Sequence, residues 1–223
     1  MKLNRLAGRL LLALAFVTTG YVTSSHAAEA TADAAADDSL ERLQAFTASI
    51  DTFTADFEQT LYDEDSTPLQ VSKGTVKLKR PGRFIWNYTE PESQQIIADG
   101  EQIWLYDIGL EQVTVNAIDE RLSGSPLVLL MGSAPLEEAF DILPLGESDS
   151  IDWLELTPQS TNSDFEKVFI GLTGTELAAM ELRDNFGQAT QIKFTNFKAG
   201  IEIEDAVFEF EPPEGVDVIG AAR

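Results

Sequence analysis

The chain has 223 residues, of which 43% are apolar, with 15 Lys and Arg against 38 Asp and Glu, no Cys and a single His. A formal net charge of −23 disfavours nucleic acid as a partner, because it repels phosphate. The charge favours solubility and docking onto basic partner surfaces, although a solvated acidic coat explains it equally well.

The first residues have the pattern of a secretory signal peptide. Basic residues among the first nine positions precede an apolar run at 10–17, and the small-residue stretch Ser25-His26-Ala27 follows. This pattern predicts a signal peptide at 1–27, cleavage after Ala27 and a periplasmic mature domain. The alternative is a retained amphipathic anchor, but the run is shorter than the about 20 apolar residues of a spanning helix, and no second such run follows. Without Cys, no lipid anchor is expected.

Few catalytic mechanisms are open to the mature chain. Cleavage would remove His26, and a chain with neither His nor Cys cannot host a Ser-His-Asp triad, a Cys-His pair or a histidine-bound zinc. The acidic clusters Asp63-Glu64-Asp65 and Glu147-Ser148-Asp149 lack the spacing of a calcium loop. A carboxylate-pair glycan hydrolase stays open in principle, but no spacing singles out one pair. We therefore expect no enzymatic activity, no metal and no cofactor.

The mature chain is predicted to contain an Ala/Asp-rich linker at 28–38 and one domain at 39–223. Ser39 followed by Leu43, Phe46 and Ile50 predicts a capped amphipathic helix. After it, apolar residues recur with period two, which predicts half-buried strands separated by hairpin turns. The eleven predicted strands are 53–61, 76–78, 84–88, 94–98, 102–107, 111–115, 153–157, 167–172, 177–182, 190–197 and 207–210.

Eleven strands with few helices predict one long antiparallel sheet that curls and needs a cover on its inner face. The first helix and the apolar segment 125–131 are the candidates for this cover. Segment 125–131 is apolar almost all round and is either a core helix or a mobile lid. A lid over a partly filled barrel would suit a site for an apolar ligand.

Arg80 is the most informative polar residue. Counting in twos from Val76 and Leu78 places its side chain on their face, towards the interior. A buried guanidinium needs acceptors, and the unpaired carbonyls at the end of a helix can supply them. Arg80 is therefore predicted to latch the lid. The alternative is an arginine that reaches out to solvent or pairs with a buried carboxylate.

An ordered set of motifs resembles the periplasmic outer-membrane lipoprotein carrier family, LolA, over nearly all of the mature chain. The motifs are Lys79-Arg80-Pro81-Gly82-Arg83-Phe84-Ile85-Trp86, Ile97-Ala98-Asp99-Gly100, Trp104-Leu105-Tyr106-Asp107, Gln112-Val113-Thr114-Val115, Ser125-Pro126-Leu127 and the stretch 208–218. The high acidity and the Ala/Asp linker depart from the family pattern, which leaves the partner-docking surface open.

The resemblance implies an unclosed (half) β-barrel with a helical lid, which Arg80 holds shut. It implies a periplasmic chaperone that takes acylated lipoproteins from an inner-membrane ABC-type exporter to an outer-membrane receptor. We expect a monomer with no nucleic-acid partner and no stable membrane insertion. The predicted cavity residues are Phe57, Phe84, Trp86, Trp104, Leu127, Leu129, Leu130 and Met131.

Two other interpretations stay open besides the carrier. One is a stress-sensor domain of the same general shape, which binds lipoprotein and regulates a membrane partner. The sensor family carries a second domain, for which we expect this length to leave no room. The other is the secreted carboxylate-pair glycan hydrolase.

Overall fold

The computed structural model describes residues 39–48, 50–118, 136–161 and 163–220. Residues 39–48 are helical and are called α1, and two 3₁₀ turns lie at Leu136–Glu138 and Asp205–Phe208. The strands are β1 (Thr52–Tyr62), β2 (Pro68–Lys79), β3 (Arg83–Glu90), β4 (Gln94–Asp99), β5 (Gln102–Asp107), β6 (Gln112–Ala117), β7 (Phe140–Ser148), β8 (Ile151–Pro158), β9 (Phe165–Thr173), β10 (Glu176–Asp184), β11 (Ala189–Ala199) and β12 (Asp217–Ile219).

All twelve described strands lie in one sheet, in the order β12-β6-β5-β4-β3-β2-β1-β11-β10-β9-β8-β7. Neighbouring strands pair antiparallel, except that β12 returns to lie parallel to β6. The edge strands β7 and β12 do not pair with each other, so the sheet formed by the described strands is unclosed. The predicted mainly β fold with an unclosed sheet is confirmed, with twelve strands rather than eleven.

The inner face of the sheet carries the main hydrophobic core, and α1 packs on it. Leu43 and Phe46 are one helical turn apart, so α1 buries both on the same side, with Ile50 just beyond its end. They join alternate side chains from β1, β2, β3 and β8 to β11 in a single cluster. Each fully buried apolar side chain contributes about 1.5–3 kcal/mol, and this cluster is therefore the main source of stability.

A smaller core lies on the outer face of strands β3 to β6. Ile97, Trp104, Val113 and Val115 form it, and the returning C-terminal segment covers it with Phe210. The Phe210 ring lies 5.5 Å from the Trp104 ring and 5.7 Å from that of Tyr106, measured between centroids. Thus α1 packs on the inner face of the sheet, and the C-terminal segment covers the outer face of strands β3 to β6.

Ten of the eleven predicted strands coincide with observed strands, and three details differ. The strand predicted at 207–210 is wrong, because Asp205–Phe208 is a 3₁₀ turn that buries Phe208. Strand β7 was not predicted. It contains Pro144 and Gly146, which are unusual within strands, and its Leu143 is exposed. Strand β12 is only three residues long, too short to leave a periodic signal.

Several predictions concern parts of the chain outside the described residues. These are the signal peptide at 1–27, the linker at 28–38 and the apolar segment 125–131. In the part of the chain that the structure describes, no helix has both the length and the apolar character needed to cross a bilayer.

Candidate functional site

An aromatic cluster occupies the middle of the inner face. Phe57 on β1 lies 4.6 Å from Trp86 and 5.2 Å from Tyr88 on β3, between ring centroids, and Trp86 lies 6.0 Å from Phe194 on β11. Strand β2 separates β1 from β3, so these rings meet by crossing over it. The side chains project inward because each continues the period-two pattern of its strand.

Gly74 makes this crossing possible. It lies opposite both Phe57 and Tyr88 in the register of β2. A Cβ atom at position 74 would stand 2.8 Å from the Phe57 ring and 1.9 Å from the backbone oxygen of Asn87. Both distances are too short for real atoms, so the ring of Phe57 can cover β2 only because position 74 has no side chain.

Three of the predicted cavity residues lie together on the inner face. Phe57, Phe84 and Trp86 are 3%, 2% and 4% exposed and belong to the same cluster as Leu43 and Phe46 of α1. The structure thus brings them together under the helix. Leu127, Leu129, Leu130 and Met131 lie outside the described residues, and their place in a cavity stays a prediction.

Trp104 does not lie in this interior, and its assignment to the cavity is wrong. Cross-strand partners share a face, and Phe84 aligns with Ala98 and Ala98 with Ile103. Ile103 therefore faces inward and Trp104 outward. The indole N–H of Trp104 donates to Asp99 Oδ2 at 3.0 Å, and its ring packs in the outer cluster.

Arg80 follows β2 and reaches the last turn of α1. Its Nη1 donates to the backbone oxygen of Thr47, and its Cζ lies 6.0 Å from the centroid of the Phe46 ring. The backbone N–H of Arg80 donates to the backbone oxygen of Asp51 at 2.7 Å. Burial lowers the pKa of Arg80, and the nearby charge of Asp51 partly offsets that change. The carbonyl that accepts from Arg80 belongs to α1, and a contact between Arg80 and the lid predicted at 125–131 lies outside the described residues and stays a prediction.

Among the described residues, two long-range polar contacts also hold α1, and the sequence predicted neither. Arg42 Nη1 forms an ion pair with Asp152 Oδ2 on β8, and Gln44 Nε2 donates to Glu137 Oε1 at 3.1 Å. Asp152 is buried, so this pair is shielded from water more than a surface ion pair is. Since the partners are 110 and 93 residues apart in the chain, no local pattern could have revealed these contacts.

The inner face becomes polar at the end away from Arg80. A pocket of about 180 Å³ opens there, and we call it the mouth pocket. Tyr88 donates to Gln59 Oε1 at 3.1 Å, and Gln70 Nε2 donates to the Ser72 hydroxyl at 3.1 Å. Burial raises the pKa of Tyr88. The mouth pocket is lined by Gln59, Gln70, Ser72, Tyr88, Pro91, Glu92, Ser93, Gln94 and Asp107.

Two buried donors lack a hydrogen-bond partner within the described part of the chain, Trp86 Nε1 and Asn116 Nδ2. A buried unpaired donor costs about 1–3 kcal/mol in lost hydration. Buried polar groups are nearly always paired in native proteins, so each exception calls for a physical explanation. Among the described residues, no group of three or more His, Cys, Asp or Glu side chains could hold a metal ion.

Comparison with protein families gives one clear result. The family described as "Outer membrane lipoprotein carrier protein LolA" matches residues 48–211. This range runs from the end of α1 to the C-terminal segment on the outer face.

Individual proteins agree with the family match. The chain is 45% identical over 177 residues to a protein from Methylococcus capsulatus named "Outer-membrane lipoprotein carrier protein", covering 79% of this chain and 85% of that protein. It is 38% identical over 198 residues to a protein of the same name from Neisseria meningitidis serogroup B, covering 89% and 93%. A crystal structure of an uncharacterized conserved protein from Thermus thermophilus shares the fold, with a TM-score of 0.53, 14% identity and coverage of 82% and 97%.

Proposed function

Because the chain belongs to the outer membrane lipoprotein carrier protein LolA family, we propose that it carries acylated lipoproteins through the periplasm with their acyl chains against its inner face. The observation that carries the proposal is the aromatic inner face of an unclosed sheet beneath a helix held by a few polar contacts. This face is apolar, it is covered by α1, and among the described strands the sheet around it does not close.

The energetics explain why such cargo needs a carrier. Each buried methylene contributes about 0.8 kcal/mol, so one long acyl chain contributes on the order of 12 kcal/mol. A lipoprotein therefore leaves a membrane for water only when another apolar surface receives its chains. The inner face offers Phe57, Phe84 and Trp86 for that purpose, and the proposed role needs only binding and release, without catalysis.

Arg80 is positioned to control the release of the lipoprotein cargo. Its bond to Thr47 joins a charged donor to the end of α1, where carbonyl groups have no partner within the helix. This bond stabilises the covered, empty form. Cargo that requires α1 to move must break it, so Arg80 favours release over retention.

The proposed partners are an inner-membrane ABC-type exporter that supplies the lipoprotein and an outer-membrane receptor that takes it. The net charge of −23 suits transient contact with basic surfaces on both, because opposite charges raise association rates. The signal peptide predicted at 1–27 supports a periplasmic location.

The proposal is tested by uptake of a fluorescent fatty acid, compared between the wild type, Phe84→Asp and Phe186→Asp. Phe84 is 2% exposed on the inner face, where a carboxylate would stand in place of hydrocarbon, so Phe84→Asp should weaken uptake at least roughly tenfold. Phe186 is 83% exposed in the turn between β10 and β11, and its variant should bind normally.

Circular dichroism shows whether each variant is folded. If the folded wild type takes up no acyl probe in a saturable way, and no lipid copurifies with it from the periplasm by mass spectrometry, the carrier proposal fails. The interior would then be a core filled by its own side chains.

A further inference from the structure

The mouth pocket lies at the end of the inner face, where apolar rings give way to polar side chains. On β3 the inward side chains run Phe84, Trp86 and Tyr88, and Tyr88 lines the mouth pocket. Tyr88 aligns with Gln94 on β4, and Gln94 aligns with Asp107 on β5. Cross-strand partners share a face, so Asp107 extends this polar row along the inner face.

The mouth pocket carries negative charge and no positive charge. Its nine described lining residues include Glu92 and Asp107, and none of the nine is Lys, Arg or His. Asp107 Oδ1 accepts the backbone N–H of Leu110 at 2.9 Å, but that N–H has no formal charge to offset the carboxylate. Within the described part of the chain, neither Glu92 nor Asp107 forms an ion pair. Both carboxylates therefore act on any group that enters the pocket.

A pocket lined by one sign of charge selects head groups by their charge. Apolar walls concentrate the field of the carboxylates in the opening, because such walls screen charges less than water does. A phosphate there is repelled by both carboxylates and meets no cation. An ester or amide head carries no net charge, and the amide groups of Gln59, Gln70 and Gln94 can form hydrogen bonds with it.

The acyl chains alone cannot identify the cargo. Phospholipids and acylated peptides carry the same kind of hydrocarbon, so the aromatic inner face gains similar binding energy from either. They differ at the head, where a phospholipid has an anionic phosphate and an acylated peptide has esters and amides. Discrimination between them must therefore come from the groups that surround the head.

We propose that Glu92 and Asp107 make the mouth pocket selective for head-group charge, so that it accepts acyl chains on an uncharged or cationic head and rejects those on a phosphate. The head then lies in the mouth pocket, and the hydrocarbon lies on Phe57, Phe84 and Trp86. This inference rests on the proposed function and adds to it the class of amphiphile that the carrier accepts.

The test compares three ligands that share a palmitoyl ester and differ in head-group charge. They are monopalmitoylglycerol, which is uncharged, palmitoylglycerol phosphate, which is anionic, and palmitoylcholine, which is cationic. Each displaces an uncharged probe, a fluorescent fatty-acid methyl ester, from the wild type and from the double variant Glu92→Gln with Asp107→Asn. Both substitutions replace a carboxylate by an amide of nearly the same shape, whose oxygen can still accept the N–H of Leu110 at position 107.

The double variant should bind palmitoylglycerol phosphate roughly tenfold more tightly than the wild type and palmitoylcholine more weakly, with monopalmitoylglycerol unchanged. Opposite shifts for the two charged ligands identify a charge effect, because altered packing would move all three affinities in the same direction. Raising the salt concentration from about 20 mM to about 0.5 M should reduce both shifts.

The matched control is Glu101→Gln with Glu209→Gln. Both residues are exposed and line the groove on the outer side, so this pair removes the same amount of negative charge without changing the mouth pocket. It should leave all three affinities at the wild-type values. The control thus separates the local effect from that of the net charge of −23.

Each other outcome has a distinct meaning. If the double variant binds both charged ligands as the wild type does, or if the outer-groove control shows the same shifts, the inference is overturned and the carrier function stands. An equal loss of all three ligands in a double variant that circular dichroism shows to be folded also overturns it, since the two residues would then act through packing. If the wild type binds neither monopalmitoylglycerol nor the probe, the inference and the proposed function fail together.

Discussion

Arg80 shows how one side chain can couple the sheet to its cover. Its guanidinium lies against the Phe46 ring and bonds to the last turn of α1, although burial opposes its charge. A buried cation persists only when its donors are paired, so removing its acceptors would expose it to the full desolvation penalty. Moving α1 away from the sheet therefore requires Arg80 to find water or another acceptor.

The substitution Arg80→Leu should shift the protein towards the uncovered form. A charged hydrogen bond contributes about 1.5–3 kcal/mol, and its loss shifts this equilibrium roughly ten- to two-hundredfold. A ligand that needs the uncovered form is then held more tightly. We expect slower dissociation of a fluorescent fatty acid, and a soluble lipoprotein complex that transfers poorly to its receptor.

The matched control for Arg80→Leu is Arg83→Leu. Arg83 lies three residues later and lines a groove on the outer side with Asp99 and Glu209, away from α1. Its variant should release ligand at nearly the wild-type rate. Normal release by a folded Arg80→Leu protein would show that Arg80 does not restrain α1.

At the scale of elements, the turn between β4 and β5 ties the outer core together. Burial opposes the charge of Asp99, but the Trp104 indole and the backbone N–H groups of Gln102 and Glu101 donate to its carboxylate. Together these bonds hold the pKa of Asp99 below its ordinary value. The same carboxylate thus closes the turn and orients Trp104 towards Phe210.

The lowered pKa of Asp99 predicts a pH-dependent effect of Asp99→Asn. The unfolded carboxyl titrates near pH 4, so the charged form stabilises the fold above about pH 4, and this stabilisation is lost as the pH falls through the lower folded pKa. The wild type should be more stable than Asp99→Asn at neutral pH, and the difference should shrink in acid. Urea unfolding at pH values from neutral to about pH 2 measures this difference in the free energy of unfolding. A difference that does not vary with pH contradicts this account.

Local sequence patterning predicts most elements of this fold: ten of the eleven predicted strands coincide with observed strands. It fails at 207–210, where Phe208 and Phe210 have strand-like spacing but belong to a 3₁₀ turn and a covering segment. It also misplaced Trp104, since the face of β5 depends on its register with β4. The mouth pocket could have been predicted from the sequence, because Gln59 and Tyr88 continue the inward-facing alternation of Phe57 and Trp86.

At the scale of the whole molecule, the interior must enlarge to accept cargo. Sites for small ligands usually measure about 300–1,000 Å³, whereas the mouth pocket measures about 180 Å³. The aromatic side chains beyond it are in contact with one another and with the cluster that includes Phe46 of α1. Among the described elements, α1 is the cover whose displacement would uncover the inner face while every strand stays paired.

A cross-link that fixes α1 to the 3₁₀ turn Leu136–Glu138 should therefore slow the uptake of acyl chains. Gln44 Nε2 and Glu137 Oε1 are 3.1 Å apart, and the chain has no native Cys, so Gln44→Cys with Glu137→Cys gives a unique pair of thiols. Joined by a short bis-maleimide, the variant should take up a fluorescent fatty acid at least roughly tenfold more slowly, since a covered interior is a binding-incompetent state. The control is the same variant with each thiol capped by N-ethylmaleimide, which removes the Gln44–Glu137 bond without joining the elements and should load at least as fast as the wild type. Uptake at the wild-type rate by the cross-linked protein would mean that acyl chains enter without displacing α1.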